Sequence, residues 1–253
     1  MGLLKVILFW RLKLEIFILK FVCVFICFLW VTLPCFPETI WHADRRSKRI
    51  YLTFDDGPHP VFTEPILRVL AKKKVKATFF VVGESVKNFP ELVKKMHKQG
   101  HLLANHTMTH DRLDALDKEA VRLEIQGFND VLESVLGYRS RFFRPPGGRQ
   151  NALVQSVANE LNMCTVLWDV NTGDYHQLLP EEQRSHFPYA RNTYQKSSKR
   201  LVRLVLRRSR SGSIILLHNT DGETLQALPK IIDGLRKKGY QFSTLRTVKH
   251  RVS

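Results

Sequence analysis

Two adjacent carboxylates stand at the end of an apolar run. Ile50 to Phe54 leads directly into Asp55 and Asp56, which a Gly-Pro turn follows. Consecutive strand residues point in opposite directions, so one carboxylate can bind a metal ion while its neighbour faces a substrate or water. Local capping by an Asp-Asp-Gly-Pro turn is the competing interpretation.

Two histidines four residues apart follow a later apolar run. His106 and His110 lie in Asn-His-Thr-Met-Thr-His, after the run His101 to Asn105. On one helical turn this spacing places both imidazoles on one face, which suits chelation of a single ion. Surface histidines are common, so the pair alone is weak evidence. Joined to Asp56, it predicts a two-His, one-carboxylate metal site with open positions for water and substrate.

Arg144 and His218 each close a further apolar run. Pro-Pro-Gly-Gly follows Arg144, and such a rigid, bare backbone can offer an amide N–H to a developing oxyanion. Arg144 itself can pair with a carboxylate, and an Asp partner can raise the pKa of His218 until it donates a proton near neutral pH. A surface arginine and a core histidine are the alternatives, and the joint occurrence of the motifs favours a site.

The elements that carry these motifs alternate between short apolar runs and amphipathic stretches. This βα alternation predicts parallel strands with right-handed helical crossovers, and about seven strands favour a barrel over an open sheet. In either architecture the site lies at the carboxyl ends of the strands. The predicted strands are Ile50–Phe54, Ala77–Val82, His101–Asn105, Phe142–Arg144, Cys164–Asp169, Ser213–His218 and Gln241–Thr244; the predicted helices are Thr63–Lys73, Pro90–Gln99, Lys118–Leu136, Ala152–Leu161, Ser197–Arg208 and Thr224–Lys238.

The N-terminal segment is predicted to be a membrane anchor or an uncleaved signal segment, residues 1–39, ahead of a single domain, residues 40–253. Ile16 to Phe36 is apolar apart from Lys20, and its length is close to that needed to cross a bilayer. Basic residues precede it and no clear small-residue cleavage site follows it. We therefore expect an anchored protein whose domain faces the periplasm or the cell exterior.

Charge and cysteine content narrow the function further. The net charge is +17, which favours contact with polyanions without choosing among them. Nucleic acid is not expected as a partner, because no recognition motif accompanies the charge and the export segment removes the chain from that compartment. Cys164 lies in an apolar run and is expected to be a packing residue rather than a nucleophile.

A long connection, from His176 to Gly212, carries much of the charge. Its stretch from Ser185 to Gly212 holds eight Lys or Arg residues and no acidic residue. Leu201, Leu204, Val205 and Arg208 share a helical face there, so a solvated surface helix is one interpretation. Contact with an anionic surface is the other.

Taken together, these motifs resemble those of the polysaccharide deacetylases, the NodB-homology or carbohydrate esterase family 4 enzymes, over about residues 49 to 246. Thr-Phe-Asp-Asp-Gly-Pro and His-Thr-x-x-His are the most diagnostic of the five motifs, which occur in order. The resemblance implies a distorted (β/α) barrel. It also implies a metal-dependent hydrolase that removes acetyl groups from an N-acetylated envelope polysaccharide, either peptidoglycan N-acetylglucosamine or a related chitin-like polymer.

The resemblance implies a role for each site residue. Asp55 would be the general base, oriented by Arg144, and His218 the general acid, tuned by Asp174. A divalent metal, commonly zinc, would bind to Asp56, His106 and His110. Leu216 and Tyr175 would line the acetyl pocket, and the Gly147 amide would assist the oxyanion.

Three residues depart from the family pattern and leave alternatives open. Gly147 and Tyr175 replace a frequent aromatic residue and a frequent Trp, and Asn219 replaces an Asp that often follows the acid. The first two change the walls of the sugar groove, so they affect substrate class more than reaction type. An O-acetyl esterase acting on xylan-like polymers and a catalytically weak wall-binding module are the alternatives.

Overall fold

The computed structural model describes residues 39–174 and 197–248. The predicted N-terminal anchor lies outside these residues except for Thr39, and Tyr175 and the first part of the basic connection lie outside them as well. Within the two described ranges, no helix has both the length and the apolar character that a bilayer crossing requires.

In the described part of the chain, eight strands form one sheet in which all pairings between strands are parallel. The order is β5-β4-β3-β2-β1-β7-β6, and β8 pairs with the start of β1. The predicted parallel α/β architecture is confirmed. The strands are β1 (Arg49–Gly57), β2 (Thr78–Val81), β3 (Leu102–Asn105), β4 (Phe142–Phe143), β5 (Cys164–Thr165), β6 (Val170–Asn171), β7 (Ile214–His218) and β8 (Gln241–Phe242).

The connection between β5 and β6 shows that this sheet is strongly curled. The two strands form opposite edges, which would lie about 29 Å apart across six strand spacings of a flat sheet. Only Val166 to Asp169 join them, and a chain of that length spans at most about 17 Å. The sheet is therefore a distorted, incomplete barrel, because β5 and β6 do not pair with each other. The prediction of one strand over Cys164 to Asp169 was wrong, since this run is β5 followed by the crossing segment.

Alternation along β1 separates two cores and aims one row of side chains at the barrel interior. Ile50, Leu52 and Phe54 pack into the large core between the sheet and the helices. Tyr51 lies on the other face, in a smaller core inside the barrel. Because side chains alternate along a strand, the inward row of β1 ends in Asp55.

Seven helices are described. Six match the predicted helices to within two residues at each end, and α2 was not predicted, because it is short and begins at a glycine without a side-chain cap. The helices are α1 (Thr63–Lys72), α2 (Gly83–Asn88), α3 (Pro90–Lys98), α4 (Lys118–Leu136), α5 (Ala152–Glu160), α6 (Ser198–Arg208) and α7 (Gly222–Lys237).

The ends of α4 illustrate why the helices begin and end where they do. The Asp117 carboxylate accepts a hydrogen bond from the Ala120 amide and satisfies one free N–H group of the first turn. Gly137 ends the helix in the left-handed conformation, with φ of 74°, which a residue without a Cβ adopts at little cost. The apolar face between these ends packs with Phe128 and Leu132 in the large core.

Candidate active site

The candidate site lies at the carboxyl ends of the strands, where the inward rows of four strands end in polar side chains. Asp55 lies on β1, two residues before the end of the strand, and His218 is the last residue of β7; the two residues are register partners. His106 follows β3, and Arg144 follows β4. All four side chains are buried. The structure thus brings together residues that the sequence placed at the ends of separate runs.

Arg144 connects the ends of β1, β4 and β5. Its Nη1 donates to an oxygen of Asp55 at 2.6 Å and to the Thr53 hydroxyl at 2.9 Å. Nε and Nη2 donate to the carbonyls of Val166 and Leu167 at 3.0 and 3.1 Å. The guanidinium is fully buried, so these bonds satisfy a charge that would otherwise be costly to bury.

Asp56 points away from Asp55 for a more specific reason than strand alternation. Its φ of 67° lies in the left-handed region, and the pairing of β1 with β2 shifts register between Phe54 and Gly57. The resulting bulge turns the Asp56 carboxylate toward His106 and His110. Bulges of this kind re-aim side chains next to functional sites.

The two histidines do not lie on a helical turn, so this part of the prediction was wrong. Residues 106–110 form a loop in which Thr107 and His110 have left-handed backbone, with φ of 69° and 70°. The buried Glu124 carboxylate of α4 holds this loop, since it accepts hydrogen bonds from the Met108 and Thr109 amides, both at 3.0 Å. The loop brings both imidazoles to Asp56 without helical geometry.

Asp56, His106 and His110 form a group that fits a metal ion. One Asp56 oxygen, Oδ1, lies 3.3 Å from Nε2 of His106 and 3.2 Å from Nε2 of His110. Two ligands of a tetrahedral zinc ion, each about 2.05 Å from the metal, are about 3.3 Å apart. Oδ1 is also buried and has no hydrogen-bond donor, so a cation would supply its missing partner. These ligand atoms all lie within 4.8 Å of one another.

The surroundings of His106 and Asp56 favour the metal-binding forms of these two residues. His106 Nδ1 lies 2.8 Å from the Arg144 carbonyl oxygen, so this nitrogen donates and Nε2 keeps its lone pair. Burial alone would raise the pKa of Asp56, but His110 and His106 together hold it well below its usual value. The carboxylate is therefore ionised, as a ligand must be.

His218 and Asp174 form a buried pair on the side of β1 opposite to the Asp56, His106 and His110 group. The imidazole Nδ1 lies 2.6 Å from Asp174 Oδ1, and the His218 amide donates to Oδ2 at 2.8 Å. Burial lowers the pKa of His218, but Asp174, with help from Asp56 and Asp55, raises it to about 9. A protonated imidazole at neutral pH can donate a proton to a leaving group.

Comparison with known proteins shows which family the chain belongs to. The family model described as polysaccharide deacetylase matches residues 42–166. Two peptidoglycan-N-acetylglucosamine deacetylases of Bacillus cereus are each 36% identical to the chain, over 200 and 213 residues. The matches cover 78% and 81% of this chain, and 66% and 90% of the respective relatives. The chain belongs to the polysaccharide deacetylase family.

A solved structure of a peptidoglycan N-acetylglucosamine deacetylase supports the same assignment. It is 33% identical, with a TM-score of 0.73, and the match covers 83% of this chain and 92% of that one. The resemblance drawn from the sequence motifs is therefore confirmed. Deacetylases of this family are hydrolases that act on N-acetyl groups of polysaccharides.

The structure describes two of the three residues that the deacetylase motifs assign to substrate contact. Leu216 is buried two positions before His218 on the same face of β7, and its carbonyl accepts a hydrogen bond from Thr172 at 2.7 Å. Gly147 has a left-handed φ of 62° in the turn after Arg144. Their roles stay predictions, and Tyr175 lies outside the described residues.

Gly148 is required by the same turn. Its φ is 69°, and a Cβ atom there would lie 2.7 Å from the Trp168 ring. The Trp168 ring also lies 5.4 Å from the Arg144 guanidinium carbon, which packs at 4.0 Å over Phe80. Because Gly148 has no side chain, the Trp168 ring can pack over the buried Arg144.

Several residues that position the deacetylase site were not predicted from the sequence. The Thr172 hydroxyl lies 2.8 Å from Asp174 Oδ1, and the Thr224 hydroxyl donates to Oδ2 of the same carboxylate. Thr53 and Glu124 support Arg144 and the histidine loop. Thr53 and Asp55 are two residues apart on β1 and therefore share a face, which the sequence could have indicated. Thr172 is two residues from Asp174, whereas Thr224 and Glu124 act through contacts with residues 50 and 15 positions away in the chain, which spacing does not reveal.

Asn219, the departure after the proposed acid, has a packing role. It is fully buried, and its amide donates to the Thr63 hydroxyl of α1 at 3.0 Å. A Cβ on Gly57 would lie 2.1 Å from the same amide, so Gly57 leaves the room that Asn219 occupies. The residue joins the ends of β1 and β7 to the start of α1.

Proposed function

We propose that this protein is a metal-dependent hydrolase that removes N-acetyl groups from an envelope polysaccharide, with peptidoglycan N-acetylglucosamine as the preferred target. The observation that carries the proposal is the Asp56, His106 and His110 group, flanked by the Asp55–Arg144 ion pair and the His218–Asp174 pair. One rim of the barrel thus offers a metal site, a base and an acid.

The metal would be held by Asp56, His106 and His110, and we expect zinc, because the ligands are two imidazoles and one carboxylate. A bound divalent cation polarises a carbonyl and lowers the pKa of water. Residues that are not ligands themselves hold the ligands in place. The Arg144 carbonyl orients His106, and Glu124 fixes the loop that carries His110.

Asp55 would act as the general base. Arg144 occupies its Oδ1, which leaves Oδ2 on the side of the metal ligands, 3.8 Å from Nε2 of His106. A carboxylate held by a buried arginine has one oxygen fixed and the other available to accept a proton from water. Arg144 would thus orient the base rather than contact substrate.

His218 would act as the general acid. Its Nδ1 is committed to Asp174, so Nε2 is the nitrogen that can deliver a proton. Protonation of the amide nitrogen lets it leave as a free amine, and acetate is the second product. Leu216 and Tyr175 would line the acetyl pocket, and the Gly147 amide would stabilise the oxyanion.

Peptidoglycan is preferred over chitin-like polymers for two reasons. The relatives described above are peptidoglycan N-acetylglucosamine deacetylases. The apolar segment from Ile16 to Phe36 would anchor the chain, with its catalytic domain on the periplasmic or outer side of the membrane, beside the wall. Release of full-length protein from membranes by a salt wash would contradict the anchor.

A substrate panel tests the proposal. Full-length protein, purified in detergent and loaded with zinc, is incubated with N-acetylglucosamine oligomers, peptidoglycan and O-acetylated xylan, and acetate release is measured. We expect release from the N-acetylated substrates and its loss in His218→Ala. Release from xylan alone would favour the O-acetyl esterase, and binding without release from any substrate would favour a wall-binding module.

A further inference from the structure

A basic pocket lies beside the proposed active site. Its volume is about 910 Å³, and one wall is formed by Asn171 and Gly173. Five Lys and Arg side chains from α6 line the other side: Lys199, Arg200, Arg203, Arg207 and Arg208. A cavity of this size accommodates a substituent as large as a short peptide or a sugar.

The pocket wall formed by Asn171 and Gly173 lies next to the proposed catalytic residues in the chain. Gly173 directly precedes Asp174, so their Cα atoms are about 3.8 Å apart. The Asn171 side chain accepts a hydrogen bond from the Gly173 amide at 2.8 Å and fixes this segment. Because Asp174 binds His218, the pocket begins one residue away from the pair that holds the proposed acid.

Four of these five cations form one stripe on α6. At 100° per residue, Lys199, Arg200, Arg203 and Arg207 fall within about 100° of the helix circumference. The opposite face of the helix is buried through Leu201 and Val205, whereas the four cations are exposed. No carboxylate in residues 39–174 or 197–248 forms an ion pair with them.

Helix stability does not explain this stripe. Lys199 and Arg203, and Arg203 and Arg207, are like-charged pairs four residues apart, and such pairs are destabilising. The first turn also lacks an acidic residue and carries Lys199 and Arg200, although the positive end of the helix dipole disfavours cations there. The Glu223 carboxylate of α7 accepts a hydrogen bond from the Ser198 amide and offsets the second effect in part, and an anionic ligand would offset the repulsion between the cations.

We propose that this pocket binds a carboxylate-bearing substituent of the glycan, so that the enzyme selects an anionic polymer over a neutral one. The inference rests on the proposed function and adds its substrate class. Peptide side chains of a wall glycan carry such carboxylates, whereas an N-acetylglucosamine oligomer carries none. Arginine side chains bind carboxylates through paired N–H donors, which suits this role.

The test compares two substrates of equal glycan length, a neutral N-acetylglucosamine oligomer and a peptidoglycan fragment with its peptide carboxylates. We expect Arg203→Gln/Arg207→Gln to lower kcat/KM about tenfold for the charged fragment and to leave the neutral oligomer unchanged. The control Lys72→Gln/Lys98→Gln removes the same charge from exposed positions of α1 and α3. This control is expected to leave kcat/KM unchanged for both substrates. In the wild type, added salt should weaken only the reaction of the charged fragment.

An unchanged ratio of the two kcat/KM values in Arg203→Gln/Arg207→Gln would overturn the inference. Weaker sedimentation of that variant with phosphatidylglycerol vesicles, at an unchanged ratio, would assign the stripe to a lipid surface instead. Binding of the charged fragment, measured by calorimetry in a metal-loaded His218→Ala background, separates this test from the proposed function. If the pocket does not bind the carboxylates, the charged fragment will bind equally well with and without the two arginines. If the proposed function is wrong, neither substrate will release acetate.

Discussion

Asp174→Asn removes the carboxylate that holds the proposed acid, and its effect on His218 follows from the structure. Asp174 Oδ1 lies 2.6 Å from the imidazole and is the largest influence that raises its pKa, while burial lowers it. Without the negative charge, burial acts with less opposition. We therefore expect the pKa of His218 to fall from about 9 to the ordinary 6.5 or below.

The expected magnitude is large enough to measure. The interval from 6.5 to about 9 corresponds to about 3 kcal/mol of preference for the protonated imidazole. At about pH 7.5, His218 is almost fully protonated in the wild type and about one tenth protonated at a pKa of 6.5. Loss of the proton alone therefore lowers turnover about tenfold, and loss of ring orientation lowers it further.

The same pair makes stability depend on pH. Because the folded pKa of His218 is raised, its contribution is fully present below about pH 6.5 and is lost as pH rises through about 9. The difference in unfolding free energy between wild type and Asp174→Asn should shrink over that range. Asp233→Asn, which removes a surface carboxylate of α7 from its ion pair with Lys73, is the matched control.

The assay is a histidine NMR titration of chelator-treated full-length protein, with the His218 signal assigned by its loss in His218→Gln. The wild-type signal should titrate near pH 9 and the Asp174→Asn signal at or below 6.5. A variant signal that still titrates near 9 would refute the reasoning, because another group would then hold the proton.

Three further substitutions probe the rest of the site. Asp55→Asn should lower acetate release by at least about a thousandfold while circular dichroism and thermal unfolding stay close to wild type, because the amide cannot accept the proton. Arg144→Gln should lower the unfolding free energy by about 3 to 5 kcal/mol in denaturant titrations, because it leaves a buried carboxylate unpaired. Glu124→Gln should weaken zinc binding about tenfold in competition titrations through loss of support for the His110 loop, whereas Glu119→Gln, at an exposed position of the same helix, should not.

The sequence predicted the order of elements because each strand and helix carries its own local pattern. Alternation in β1 and the amphipathic faces of α4 and α7 are visible over a few residues. The curl of the sheet is different, since it depends on a four-residue crossing between β5 and β6 and on the two-residue length of those strands. Strands that short leave no periodicity to read.

The site residues were predictable in type and only partly in geometry. Asp56, His106 and His110 lie together as the motifs indicated. The left-handed backbone at Asp56 and His110 was not predictable, because neither residue has an intrinsic need for it. In the loop that carries His110, the conformation is supported by hydrogen bonds from the Met108 and Thr109 amides to Glu124.

A zinc titration of the chelator-treated protein tests the central claim most directly, because it couples the three-residue group to the reaction. Acetate release from an N-acetylglucosamine oligomer should be absent without metal and should rise to a plateau at one zinc ion per chain. The His106→Ala/His110→Ala variant should bind no zinc at this site and release no acetate. Full acetate release without metal, or zinc-dependent release that survives loss of both histidines, would contradict the account.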